Sequence, residues 1–85
     1  MAEAQSISVR YFAAAADAAG RREEVLALVH TSTLAEVAEV LVRKYGADME
    51  RVLSVSGYLV GDELTRDVTR VAGSSVDVLP PFAGG

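Results

Sequence analysis

Thr33-Leu34-Ala35-Glu36-Val37-Ala38-Glu39-Val40-Leu41-Val42-Arg43-Lys44-Tyr45-Gly46 decides how the rest of the chain must fold. It opens on a capping-box pattern. The Thr33 hydroxyl can accept from the amide three residues on, and Glu36 can reach back to the Thr33 amide. Leu34, Val37, Ala38, Leu41, Val42 and Tyr45 then recur at spacings of three and four, one apolar stripe along a helix. Glu36, Glu39, Arg43 and Lys44 occupy the other side, with Glu39 and Arg43 spaced to pair at i,i+4. Gly46 ends the helix as a C′ glycine does. A single amphipathic helix has to bury its stripe against something, and the flanking segments supply a sheet.

On the N-terminal side, Ser6 to Phe12 alternates. Ile7, Val9 and Tyr11 share one face, and Ser8, Arg10 and Phe12 share the other, as in a strand with one buried side. Ala13 to Ala19 is alanine-rich and closes on Gly20, which predicts a short helical turn or a loose loop. Glu24 to Val29 alternates again, with Val25, Ala27 and Val29 against Leu26 and Leu28, and reads as a second strand entered by a turn at Gly20-Arg21-Arg22. On the C-terminal side, Asp48 to Leu53 is one further helical turn with Asp48 as its cap. Val55 to Val60 is a third strand containing Gly57, and Gly61-Asp62 is a turn. Glu63-Leu64 and Thr69 to Val71 are short and ambiguous. Gly73-Ser74 turns into a last strand, Ser75 to Leu79, with Val76 and Val78 on one face and Asp77 and Leu79 on the other.

The order strand, strand, helix, strand, short strand, strand predicts an α+β fold. A mixed sheet of four to five strands is covered by one main helix; the first two strands form a hairpin and the last runs parallel to the first. This is the β-grasp arrangement of ubiquitin-like domains. The expected division is a domain over residues 1–81 and a flexible C-terminal Gly-Gly tail over 82–85.

Composition narrows the functional classes. The apolar fraction of 51% suits a compact core. No cysteine is present, which excludes disulfides, thiolate metal sites and cysteine nucleophiles. The net charge of −4 argues against nucleic acid as a partner. No apolar run approaches the ~20 residues of a membrane span, and the first residues lack a signal-peptide pattern. A cytoplasmic protein with no membrane partner is expected.

The ending Pro80-Pro81-Phe82-Ala83-Gly84-Gly85 carries the chemistry. A carboxylate on Gly-Gly has no side chain to bar entry into a narrow site. The two prolines stiffen the exit from the last strand. Phe82 to Gly85, extended, spans about 13 Å at ~3.3 Å per residue. That is enough to enter a buried pocket from a docked surface. Small residues are also what loose chain ends carry.

The element order and the run Leu79-Pro80-Pro81-Phe82-Ala83-Gly84-Gly85 resemble the ubiquitin-like sulfur carriers of the MoaD/ThiS type. Within them the small subunit of molybdopterin synthase is most similar. The opening Val9-Arg10-Tyr11-Phe12-Ala13-Ala14-Ala15 resembles that family's first strand and the loop after it. The resemblance implies that an E1-like adenylating enzyme uses ATP to activate the Gly85 carboxylate. A sulfurtransferase donor then makes a thiocarboxylate. The tail, with Gly84 and Gly85 at its end, enters the large catalytic subunit, where sulfur passes to a pterin precursor of the molybdenum cofactor. The chain would bind no cofactor or metal and would not be an enzyme on its own. The family further implies a heterotetramer of two small subunits on a dimer of large ones. Three places depart from the family: Ser56-Gly57 for a common Asn-Gly, Gly73-Ser74 for Gly-Asp, and Asp17-Ala18-Ala19 for a frequent Arg-Glu. None touches the tail. Two alternatives stay open: a carrier serving thiamine or cysteine biosynthesis, and a ubiquitin-like binding module whose carboxylate is never activated or is conjugated to lysines.

Docking requires an apolar patch. Phe12, Leu59 and Leu79 lie opposite the expected core residues on their strands, and Phe12 and Leu79 become neighbours if the first and last strands pair. In the family, matching positions contact the partner, and Phe82 is expected in a partner groove. A loop covering these residues as a minor core is the alternative, with Gly57 able to shift the face of Leu59. The single histidine, His30, has no second ligand or nucleophile beside it and reads as a surface residue. Asp62, Glu63 and Asp67 have no metal-loop spacing and read as solvated turn residues.

Overall fold

The computed structural model describes residues 5–81. In chain order its elements are β1 (Ile7–Tyr11), α1 (Ala14–Ala19), β2 (Glu23–Leu26), α2 (Leu34–Tyr45), α3 (Ala47–Ser54), β3 (Gly57–Val60), β4 (Glu63–Thr65) and β5 (Ser75–Leu79). The five strands form one mixed sheet in the order β2-β1-β5-β3-β4. β1 pairs antiparallel with β2 and parallel with β5, and β3 lies antiparallel to both β4 and β5. This is the ubiquitin-like β-grasp fold.

The α2 start is built as its sequence predicts. The Thr33 amide donates to Glu36 Oε1 at 2.8 Å, and the Glu36 amide donates to Thr33 Oγ1 at 3.2 Å. The loop before β5 supplies the other first-turn acceptors. Leu34 N donates to Arg70 O and Ala35 N to Val68 O, both at 2.9 Å. An antiparallel bridge between Thr33 and Val71 fastens the same loop. Thr69 to Val71 thus serves the helix terminus and adds no sheet strand.

The stripe of α2 meets one face of the sheet. Leu34, Val37 and Leu41 are fully buried with Ile7, Val9, Val76 and Val78, and Tyr11, Ala15, Leu26, Met49, Leu53, Tyr58 and Ala72 complete the core. Ala38, Val42 and Tyr45 flank it, half-buried.

Four boundaries differ from expectation, each for a local reason. Ala14–Ala19 is a full short helix, closed by Gly20 in the left-handed conformation with its amide bonded to Ala16 O. The second strand stops at Leu26, where Leu28 N turns back to Leu26 O. The second helical turn is a longer helix that starts at Ala47. Gly46 ends α2 and begins α3 at once, because its φ of 85° redirects the chain, so Asp48 is inside the helix and not its cap. The third strand starts only at Gly57, because the Val55 and Ser56 amides still bond back to Val52 and Leu53.

Candidate functional site

The helices pack on the Ile7–Val9–Tyr11 side of the sheet and leave the other face to solvent. The register sets what that face carries. Arg10 lies opposite Asp77, Asp77 opposite Leu59, and Leu59 opposite Leu64, while Leu79 lies opposite Gly57. Leu64 is 63% exposed and Phe12 41%.

At the end of the sheet from which β5 leaves, these residues form a groove of about 650 Å³. Phe12, Ala13, Gly57, Leu64, Thr65, Arg66, Leu79, Pro80 and Pro81 line it. Two backbone features shape it. A Cβ on Gly57 would meet Leu64 Cδ1 at 3.2 Å, so the missing side chain keeps the floor open. Ala13 has φ 51° and ψ −126°, a conformation that side chains disfavour. It turns the chain sharply from β1 into α1 and leaves Phe12 at the rim. The Arg10 guanidinium lies 5.8 Å from the Phe12 ring centroid. Phe12 and Leu79 therefore share one groove, and the Pro80-Pro81 root of the tail forms part of its wall.

Leu59 belongs elsewhere. It lines a neighbouring hollow of about 560 Å³ with Ser8, Arg10, Val25, Ser75 and Asp77. Arg10 binds Asp77 there through both carboxylate oxygens, at 2.8 and 2.7 Å. Those hydrogen bonds, and then the carboxylate charge, raise the Arg10 pKa above its ordinary value. The expected three-residue patch is thus a groove holding two of its members and a polar hollow holding the third.

The opposite face carries one charge cluster, on Glu24. Its carboxylate accepts from Tyr11 OH at 2.5 Å, Tyr45 OH at 2.6 Å, Lys44 Nζ at 2.5 Å and Arg21 Nη1 at 3.1 Å. Burial pushes the Tyr11 hydroxyl pKa well up, and the Glu24 carboxylate pushes it further. Among the described residues no group of His, Asp and Glu has the arrangement of a metal site. His30 fastens the chain start: its amide donates to Gln5 Oε1 at 2.8 Å, and its Nε2 lies 2.9 Å from Ser6 O.

Phe82, Gly84 and Gly85 lie outside the described residues. Sequence reasoning missed Ala13, Gly57, Leu64, Thr65 and Arg66 as groove residues, and gave Pro80-Pro81 only as the stiff exit from the last strand. Leu64 carried a signal, being an apolar residue beside a turn with nothing in its own short segment to bury it. Arg66 carried none.

No protein-family model matches the chain, and no curated protein matches it. Solved structures do. Small archaeal modifier protein 1 of Haloferax volcanii superposes with a TM-score of 0.76 at 24% identity, over 94% of this chain and 99% of that one. Small archaeal modifier protein 1 of Methanosarcina acetivorans gives 0.75 at 21% identity, over 99% and 100%. A Pyrococcus furiosus protein provisionally assigned as molybdopterin converting factor, subunit 1, gives 0.70 at 18% identity, over 92% and 99%. Among the described residues no helix is long and apolar enough to cross a membrane. The chain is a β-grasp protein of the ubiquitin-like fold that these modifiers and the converting-factor subunit share.

Proposed function

We propose that this chain is a sulfur carrier acting as the small subunit of molybdopterin synthase. Gly85 is adenylated by an E1-like enzyme with ATP and converted to a thiocarboxylate by a sulfurtransferase donor. The sulfur is then delivered inside a large catalytic subunit, and the work is cytoplasmic. A carboxylate is a poor electrophile until one oxygen becomes a good leaving group, and sulfur on that acyl carbon is then a deliverable nucleophile. The chain itself supplies no acid, base, metal or cofactor.

One observation carries the reading. The Pro80-Pro81 pair that leads into Phe82-Ala83-Gly84-Gly85 lines the same groove as Phe12 and Leu79. A partner seated on that groove receives the tail from its rim. The reach of about 13 Å for four extended residues then suffices to enter the partner.

A second reading rests on the likeness to the two small archaeal modifier proteins. Here the activated Gly85 is joined to a lysine amine of another protein. Both readings share the adenylation and part at the acceptor.

Intact mass spectrometry separates them. The chain is incubated with ATP, an E1-like enzyme and a sulfur source. Replacement of one oxygen by sulfur, followed by loss of that sulfur on addition of large subunit and pterin precursor, supports the carrier. Amide-linked adducts on added proteins support the modifier. No mass change with several competent activating enzymes overturns both and leaves a binding module.

A further inference from the structure

Six of the chain's eight Lys and Arg side chains sit in ion pairs: Arg10 with Asp77, Arg21 and Lys44 with Glu24, Arg43 with Glu39, Arg51 with Asp48, and Arg70 with Glu63. Arg22 and Arg66 are the other two. Both are exposed, and neither has an acidic partner among the described residues. In a chain of net charge −4, cations left without a carboxylate are the exception.

The topology brings these two to one end of the sheet. β1 and β5 run parallel and end there, so Phe12 and Pro80 follow their last residues, and the antiparallel β3 starts there at Gly57. The edge strands are β2 and β4. Arg22 immediately precedes β2 and Arg66 immediately follows β4, which puts both at that same end. Arg66 lines the apolar groove, and Arg22 lines a shallow hollow that shares Phe12 and Ala13 with it. Neither is loosely tethered: the Arg22 carbonyl accepts from Tyr11 N at 2.8 Å, and Arg66 Nη2 donates to Val55 O at 2.9 Å. The nearby carboxylates are turned elsewhere. Glu23 lies opposite Arg10 on β1, and Asp67 accepts from the amide and hydroxyl of Thr69. From β2 to β4 is four strand spacings of about 4.8 Å, about 19 Å in all.

Resting on the proposed docking of a partner at the groove, we infer that Arg22 and Arg66 bracket it for a segment that is apolar at its middle and acidic at both ends. The activating enzyme supplies that segment, because it is the partner that the carrier and the modifier readings share. Its apolar centre covers Phe12 and Leu79, and its two carboxylates stand about 19 Å apart, a span of about six extended residues. Two separate cations on an acidic chain do not make the basic face that a nucleic acid or an anionic membrane requires. Charges at the rim of an apolar contact act mainly on the rate of encounter and on its salt dependence, while the apolar centre sets how long the complex lasts.

The test is surface plasmon resonance of the full chain over an immobilised E1-like enzyme that adenylates it. Arg22→Glu with Arg66→Glu should slow association about ten-fold at low salt, and the difference should shrink at 0.5 M salt. Arg22→Lys with Arg66→Lys should stay within about two-fold of the unmutated chain, since charge does the steering. Arg43→Glu with Arg51→Glu changes net charge equally but lies on α2 and α3, and should slow association far less. Equal slowing by that pair overturns the bracket, as does faster association of the Arg22 and Arg66 reversal. Where the loss of the Val55 bond unfolds the double variant, Arg22→Glu alone should still slow association about three-fold, and no change there overturns the bracket. An unchanged rate beside weakened binding of Phe12→Arg overturns the acidic flanks and keeps the groove as the docking site. Unchanged binding of Phe12→Arg as well overturns docking on the groove itself.

Discussion

Arg10 and Asp77 meet across the parallel pairing of β1 with β5 through two hydrogen bonds, from Nε to Oδ1 and from Nη2 to Oδ2. The two ends of this pair are not equally dispensable. The Asp77 side chain is 10% exposed and that of Arg10 59%. Removing Arg10 leaves a largely buried carboxylate without its cation, whereas removing the charge of Asp77 leaves a guanidinium that water already solvates. Arg10→Gln should therefore lower the thermal midpoint more than Asp77→Asn. Circular dichroism melts of both variants at neutral pH decide it, and the reverse order would show that the pair is held for Arg10 and not for Asp77.

The Glu24 cluster makes stability depend on acid. Burial alone would raise the Glu24 pKa; donation from Lys44, Tyr11, Tyr45 and Arg21 outweighs it and lowers it from 4.5 to about 2. The native state then binds this proton more weakly than the unfolded chain does. The contribution is complete above the unfolded value of 4.5 and drains as pH falls from there toward about 2. Urea midpoints measured across that window should fall more steeply for the unmutated chain than for Glu24→Gln, since all other carboxylates are common to both. Parallel curves would mean that Glu24 titrates normally. Glu24→Ala goes further. It strands the buried Tyr11 hydroxyl and should cost about 2 kcal/mol at neutral pH.

Much of this fold was legible because its signals are local. The α2 cap, stripe and terminal glycine all lie within one fourteen-residue run, and the alternation in Ser6–Phe12 and Ser75–Leu79 named the buried faces of the two central strands. The illegible parts depend on distant partners. β4 is three residues long and exists because β3 offers it a ladder. Thr69–Val71 is ambiguous in sequence, and the loop that holds it closes the first amides of α2 through Val68 O and Arg70 O. The part Glu24 plays could not be read from its own strand, since its donors come from 3, 13, 20 and 21 residues away. Leu59 was read onto the correct face but grouped with the wrong neighbours. The sheet order puts Asp77 and Arg10 beside it, and no pattern within Val55–Val60 encodes that order.

Ala13 is the one non-glycine residue at positive φ among the described residues, and it sits between the rim residue Phe12 and α1. Its Cβ strains a turn that glycine adopts freely, a cost of about 1–3 kcal/mol, partly offset by the extra freedom a glycine has when unfolded. Ala13→Gly should stabilise the chain by about 1 kcal/mol, read from chemical denaturation. A loss of stability would mean that the Ala13 methyl packs in the groove wall strongly enough to outweigh its strain.

Phe12 and Leu59 lie on one open face but in different depressions, and this separation makes the docking surface testable. If the partner sits on the groove that holds Phe12, Leu79 and the Pro80-Pro81 root, a charge at Phe12 meets the apolar centre of the contact. Phe12→Arg should then weaken binding of the activating enzyme or the large subunit by about 2 kcal/mol or more, the size of an interface hot spot. It should leave folding stability within about 0.5 kcal/mol, because Phe12 is an exposed side chain. Leu59→Arg, in the hollow beside Arg10 and Asp77, should cost less binding. Titration calorimetry on the two variants, with melts as the control for folding, gives the ranking. Equal losses would place the partner across the whole open face. A larger loss at Leu59 would move the docking site to the Arg10–Asp77 hollow and remove the argument that links it to the tail.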